Sequence, residues 1–172
     1  MNAWRNRILG LLLAFAIFAA DQAIKIVFID QTLNLYKVRV VKVLPFFDFR
    51  WTENYGVSLG LLTAGSIEGK FLLMGMTGLI ALFVLGWLLR ERKLGDIVPL
   101  AMVLGGAAGN IRDRWEHSFV VDYADLHFGE FRPFLIFNFA DAAITIGVLI
   151  ILARSLLSRD KPEAAPRTAP ES

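Results

Sequence analysis

Four long apolar stretches set the pattern of the chain. Ile8 to Ala20 carries no charge, and after Asp21-Gln22-Ala23-Ile24-Lys25 the apolar character resumes through Ile29. Phe71 to Leu89 runs nineteen residues without a charged side chain. Ile97 to Ile111 is shorter, with Pro99 near its start, and Phe134 to Leu157 is interrupted by Asn138 and Asp141. A helix that crosses a bilayer needs about 20 mainly apolar residues. The second stretch passes outright. The first and fourth pass if their polar residues face protein, and the third if it extends into its flanks. The pattern predicts four transmembrane helices, at about 8–29, 70–89, 96–112 and 135–157, within one integral membrane domain spanning 1–158. Loops occupy about 30–69 and 113–134. The segment 159–172, rich in Pro, Ala and charge, reads as a disordered cytoplasmic tail.

Period two replaces the helical pattern in the first loop. Phe47, Phe49 and Trp51 alternate with Asp48, Arg50 and Thr52, which gives a strand one aromatic face. Lys37-Val38-Arg39-Val40 also alternates, and the phase slips at Val40-Val41 before resuming through Lys42-Val43, as a bulge would make it. Pro45-Phe46 divides the two runs. A small antiparallel sheet follows, its aromatic face resting on lipid or on helix ends, with Phe119 to Tyr123 as a candidate further strand.

Composition narrows the class. At 56% hydrophobic over 172 residues, the chain is too apolar for an ordinary soluble domain. The net charge of +2 comes with no basic stripe outside the helix flanks, which argues against nucleic acid. There is no cysteine, hence no disulfide, thiol nucleophile or cysteine metal site. His117 and His127 stand ten apart, without metal-ligand spacing. Arg5 and Arg7, then Arg90, Arg92 and Lys93, then Arg154, Arg159 and Lys161 flank one side. With an even number of spans, that bias places both termini in the cytoplasm; Lys37, Arg39, Lys42, Arg50 and Lys70 are spread thinly over the opposite loop. Arg5 and Arg7 before an apolar run also fit a signal peptide, but the resumption after Lys25 favours an uncleaved helix.

Polar residues in apolar segments are costly and tend to carry function. Asp21 and Lys25, four apart on one helical face, read as an internal ion pair. Gly105 and Gly109 form a small-xxx-small surface for close helix approach. Gly106, Asn110 and Arg114 form a second, increasingly polar stripe. It is either packing with a snorkelling arginine or the wall of a polar pocket. Asn54 and Gly56 are turn residues, or present a polar side chain over the membrane edge. Asn138 and Asp141, three apart, share a face at the start of the fourth helix, where Asn138 could serve as cap. Asp122 lies in the loop returning to that same end. Two carboxylates that meet there form a natural acid–base unit, because neighbouring like charges drive their pKa values apart.

Taken together, Asp21-Gln22-Ala23-Ile24-Lys25, Asn54-Tyr55-Gly56, Gly105 through Arg114, Val120-Val121-Asp122-Tyr123 and Phe137-Asn138-Phe139-Ala140-Asp141-Ala142-Ala143 resemble the lipoprotein signal peptidases, the signal peptidase II family of bacterial integral membrane aspartic peptidases. Ser58-Leu59 and Ser118 depart from residues common in that family. The resemblance implies four transmembrane helices with an extracytoplasmic β-cradle and a short amphipathic helix, for which Leu61 to Glu68 is the candidate. It implies Asp122 and Asp141 as the catalytic dyad, with Asn54, Gly56, Gly106, Asn110, Arg114 and Asn138 supporting substrate or dyad. It also implies cleavage of prolipoproteins on the N-terminal side of a diacylglyceryl-modified cysteine. No cofactor or metal is implied. The expected setting is a monomer in the bacterial inner membrane among its lipids, with the site at the extracytoplasmic face. The rival from the residues alone is a small proton-coupled transporter with Asp21, Lys25 and Asp141 as a relay; the clustering of carboxylates near one face weighs against it.

Overall fold

The computed structural model describes residues 2–56 and 67–159. Its elements in order are helix α1 (Ala3–Ala23), which continues as a wider π-type helix over Ile24–Thr32, then α2 (Leu35–Val38), strands β1 (Val40–Leu44) and β2 (Phe47–Asn54), helices α3 (Ile67–Arg90) and α4 (Leu94–His117), strand β3 (Val120–Leu126) and helix α5 (Phe139–Arg159). Four helices are long and apolar enough to cross a membrane: Ala3–Thr32, Glu68–Arg90, Leu94–His117 and Phe139–Leu157. The ends move outward from the sequence expectation at most boundaries. The first span starts at Ala3 and runs to Thr32, and α4 continues to His117, where Ser118 at φ 71 turns the chain out of the helix.

α4 is the central helix. It packs on α1, α3 and α5, and 56% of its apolar window is buried within the protein, against 11% for α3. Small residues make this possible. A Cβ on Gly105 would strike the Ala14 carbonyl of α1, one on Gly106 would strike the Ala140 carbonyl of α5, and one on Gly109 would strike the Asp21 carboxylate. Gly106 thus lets α4 pack closely on the first turn of α5. One apolar core, around Leu88, Ile97, Leu100 and Ala101, ties α3 and α4 to α1.

The sheet has order β1-β2-β3, antiparallel throughout. Its aromatic face packs on helix ends: Phe47, Phe49 and Trp51 cluster with Ile29, Leu33 and Leu35. Two expectations change. Lys37 and Val38 belong to α2, not to a strand, because Asn34 and Arg39 take left-handed φ values of 49 and 70 and close a single helical turn. The bulge in β1 falls at Val43, between Lys42 and Leu44, rather than at Val40-Val41. A second bulge sets Arg50 and Trp51 opposite Tyr123, so that Phe49 pairs with Ala124 but Thr52 with Asp122. Strand residues alternate faces, so this extra residue brings Asn54, not Glu53, onto the face of Asp122. The candidate amphipathic helix at 61–68 lies outside the described residues save for its last two, which begin α3, and 160–172 of the tail lies outside them as well.

Candidate active site

Asp122 stands in the middle of β3 and Asp141 in the first turn of α5. Asn138 begins that turn and exchanges two hydrogen bonds with Asp141. The Asp141 N–H donates to Asn138 Oδ1 (2.9 Å), and the Asn138 N–H donates to Asp141 Oδ2 (3.3 Å). This is a reciprocal cap in which Asn and Asp replace the usual Ser/Thr and Glu. It leaves the Asn138 amide free to point elsewhere. Its Nδ2 donates to Asp122 Oδ1 (2.7 Å) and also lies 3.3 Å from Asn110 Oδ1 and from the Val121 carbonyl. One side chain therefore links the two carboxylates.

The other supports come from separate elements. Asn110 of α4 donates from Nδ2 to Asp141 Oδ1 (2.8 Å). Asn54, at the end of β2, donates to Asp122 Oδ2 (2.9 Å) and accepts from the Gly56 N–H (2.9 Å). Gly56 holds φ 90, a left-handed conformation that a side chain would strain, and a Cβ there would collide with Leu73. Arg114, one turn beyond Asn110, lies in the field of Asp141, Asp122 and Asp113. Nη1 reaches the Asn110 carbonyl (3.5 Å), and its buried Nε meets no hydrogen-bond acceptor among the described residues.

Asp122 and Asn138 are buried, each 1% exposed, while Asp141 is half-buried. Burial pushes the Asp122 carboxyl up to about 7, and the negative charge of Asp141 pushes the same way. Hydrogen bonds from Asn54 and Asn138 and the charge of Lys25 oppose the rise. The arrangement thus offers a proton-holding carboxyl near neutral pH beside a more accessible partner.

Beneath the dyad lies a buried ionic cluster. Lys25 Nζ is 2.9 Å from Asp21 Oδ2 and 2.8 Å from Asp113 Oδ2. Gln22 donates to Asp21 Oδ2 (3.1 Å), Asp113 Oδ1 (3.0 Å) and the Gly109 carbonyl (3.3 Å), and accepts from Arg112. Asp21 Oδ1 accepts from the Ala140 N–H (3.0 Å), and Asp113 Oδ2 from the Val121 N–H (3.1 Å). Asp21 and Lys25 are the pair foreseen from spacing. Asp113 and Gln22 were assigned no role there, although Gly105, Gly109 and Asp113 recur every four residues and so mark one helical face. Tyr123 was also missed; its hydroxyl accepts from the Phe139 N–H (3.1 Å). The histidines stand apart, His127 Nε2 lying 3.1 Å from Asp48 Oδ2 and His117 stacking on Phe119. Among the described residues no three His, Asp or Glu side chains group as a metal ion would need. A cavity of about 700 Å³ lies between α3, α4 and α5 around Trp87, Asp96 and Arg154, at the opposite end from Asp122 and Asp141.

The family model described as signal peptidase (SPase) II matches residues 13–157. The chain belongs to the signal peptidase II family. Similar relatives named lipoprotein signal peptidase include one from Rhizorhabdus wittichii, 46% identical over 155 residues that cover 90% of each chain, and one from Sphingopyxis alaskensis, 44% identical over 88% of this chain and 87% of its own. Two solved bacterial membrane enzymes share the fold. One superposes with a TM-score of 0.73 at 25% identity, covering 89% of this chain and 94% of the other. The second gives 0.69 at 24%, covering 93% and 94%. Membership in a signal peptidase II family makes this chain a membrane peptidase and leaves the transporter reading without support.

Proposed function

We propose that this signal peptidase II family member is an aspartic endopeptidase that cuts prolipoproteins N-terminal to a diacylglyceryl-modified cysteine, with Asp122 and Asp141 as its dyad. The observation that carries the reading is the link through Asn138, which donates to Asp122 while capping α5 together with Asp141. The two carboxylates come from different elements and are held as a pair, which is what a shared-proton acid–base site requires.

The pair shares one proton near neutral pH; burial and the charge of Asp141 raise the Asp122 carboxyl to about 7 and so favour its place there. Asp141 takes a proton from water as the water oxygen bonds to the scissile carbonyl carbon. Asp122 gives its proton to the carbonyl oxygen, forming a neutral gem-diol. The proton taken from water then passes to the amide nitrogen and the C–N bond breaks. The remaining excess diol proton returns to the pair. The products are the signal peptide carboxyl and the free amine of the lipidated cysteine. Asn110 and Asn54 hold the carboxylates, and the positive charge of Arg114 lies in the field of both.

The site sits at the ends of α4 and α5 beside the sheet. The basic residues Arg7, Arg90, Arg92, Lys93 and Arg154 gather at the other end, where Arg7 donates to the Glu91 and Arg90 carbonyls and Arg154 pairs with Asp96. That polarity supports a cytoplasmic-membrane protein with both termini inside and the dyad at the outer face, where a lipid-anchored scissile bond would lie. The test is a purified-enzyme assay. A diacylglyceryl-modified prolipoprotein is shortened and its unmodified form is not, and Asp122→Asn and Asp141→Asn each lower turnover by about 10²–10⁴-fold. Near-normal cleavage by either folded variant would sink the dyad.

A further inference from the structure

The buried ionic cluster ends on two backbone positions that share one property. Val121, held by Asp113, immediately precedes Asp122; Ala140, held by Asp21, immediately precedes Asp141. We infer that Lys25, by bridging Asp113 and Asp21, fixes the separation and orientation of the two catalytic aspartates and is a positioning residue for the reaction. The inference rests on the dyad reading above.

The geometry is specific. The ammonium sits between two carboxylates at 2.8 and 2.9 Å, with side chains only 0–4% exposed, and each carboxylate spends a further bond on an N–H one residue upstream of a dyad member. Four elements converge: the end of α1 with its π-type continuation, α4, β3 and the first turn of α5. Gly109 lets this happen, since any larger residue would displace the Asp21 carboxylate. Gln22 closes the figure by donating to both aspartates. β3 is also joined directly to the start of α5 through Tyr123 to Phe139, and to the chain just before it through Ala124 to Phe137. Those bonds fix the strand beside the helix. The Lys25 bridge adds a hold from α1 and α4 on the residue just before each carboxylate. Buried ion clusters are poor stability devices, because apolar side chains of similar volume often serve as well. Their better use is to impose one arrangement, and small misplacements of reacting groups, about 1 Å, cost on the order of 10² in rate.

The test compares Lys25→Met, Lys25→Arg and Asp113→Asn in the full-length enzyme, with turnover expressed per folded molecule and read across pH. Lys25→Met should lower kcat by about 10²-fold with little change in KM. It should also move the alkaline limb of the pH profile upward, because the Lys25 charge is one of the influences that hold the Asp122 carboxyl down. Lys25→Arg keeps a charge and donors for both carboxylates and should recover most of kcat. Asp113→Asn can keep the oxygen that serves both Lys25 and the Val121 N–H, but it removes the negative charge from the bridge and turns an NH2 toward the Gln22 donor, and should give an intermediate loss in kcat even if Lys25→Met yields little folded protein. A folded Lys25→Met enzyme with normal kcat and an unmoved limb would overturn the inference. So would variants that lose only yield while the surviving molecules turn over normally. Inactive dyad variants beside a normal Lys25→Met enzyme would remove this inference and leave the dyad standing; active dyad variants would remove both.

Discussion

At the residue scale, Asp122 couples stability to chemistry. Its carboxyl is raised from 3.8 to about 7, chiefly by burial and then by Asp141. A raised carboxyl favours the protonated folded state. The associated stability is fully present below the ordinary value of 3.8 and is lost as pH climbs through about 7, a loss bounded on the order of 4 kcal/mol. Asp122→Asn cannot ionise, so the melting temperature of the variant relative to the native enzyme should be more favourable at pH 8 than at pH 5. An equal difference at both pH values would show that Asp122 does not titrate in this range. The same carboxyl predicts an alkaline fall of kcat/KM with a midpoint near 7, since deprotonation removes the group that donates to the carbonyl oxygen. Residues of this kind are the most legible in a sequence, because a carboxylate at the edge of an apolar run stands out. Asp113 is legible only in hindsight. It follows Arg112 in a polar stretch, and nothing but its four-residue spacing from Gly109 reveals that it points inward at Lys25.

At the element scale, the first turn of α5 performs two tasks with one residue. Asn138 caps the helix through its oxygen and joins Asp122 through its nitrogen. Substitutions can separate the tasks. Asn138→Ser retains an oxygen for the Asp141 N–H and no amide donor, so it should keep near-native thermal stability while losing cleavage. Asn138→Ala should lose both, with about 1 kcal/mol from the missing cap. Thermal unfolding in detergent alongside prolipoprotein cleavage decides it, and full activity in Asn138→Ser would show that the amide link is dispensable. Helices were readable at this scale from composition alone. Strand detail was not. Alternation through Phe47, Phe49 and Trp51 continues smoothly in the sequence, so the bulge at Arg50 and Trp51 leaves no mark there, yet that extra residue puts Asn54 beside Asp122. Likewise Lys37-Val38-Arg39-Val40 alternates like a strand, and only the left-handed backbone at Asn34 and Arg39 turns its first half into helix.

At the scale of the whole molecule, the question is which way the enzyme faces. α4 has 24 residues, about 36 Å at 1.5 Å each, longer than a hydrocarbon core of about 30 Å. Its two ends therefore emerge on opposite sides, carrying Arg92 and Lys93 just before it and Asp113 near its close. Loop Arg90–Lys93 is tied to α1 through Asn6 and Arg7, so the basic residues of the N-terminus and of this short loop gather at one end, where the charge bias counts them together. The loop after β3 belongs to the dyad end, with Asp125 gripped by Arg50 and Arg132. A chain without cysteine gives a clean reading of this polarity, since each introduced thiol is the only one present. Arg92→Cys and Glu130→Cys both fall at exposed positions. In intact spheroplasts a membrane-impermeant thiol reagent should label the Glu130→Cys protein and spare the Arg92→Cys protein, which labels only after lysis. The reverse pattern would place Asp122 and Asp141 on the cytoplasmic side and overturn the proposed outer-face site.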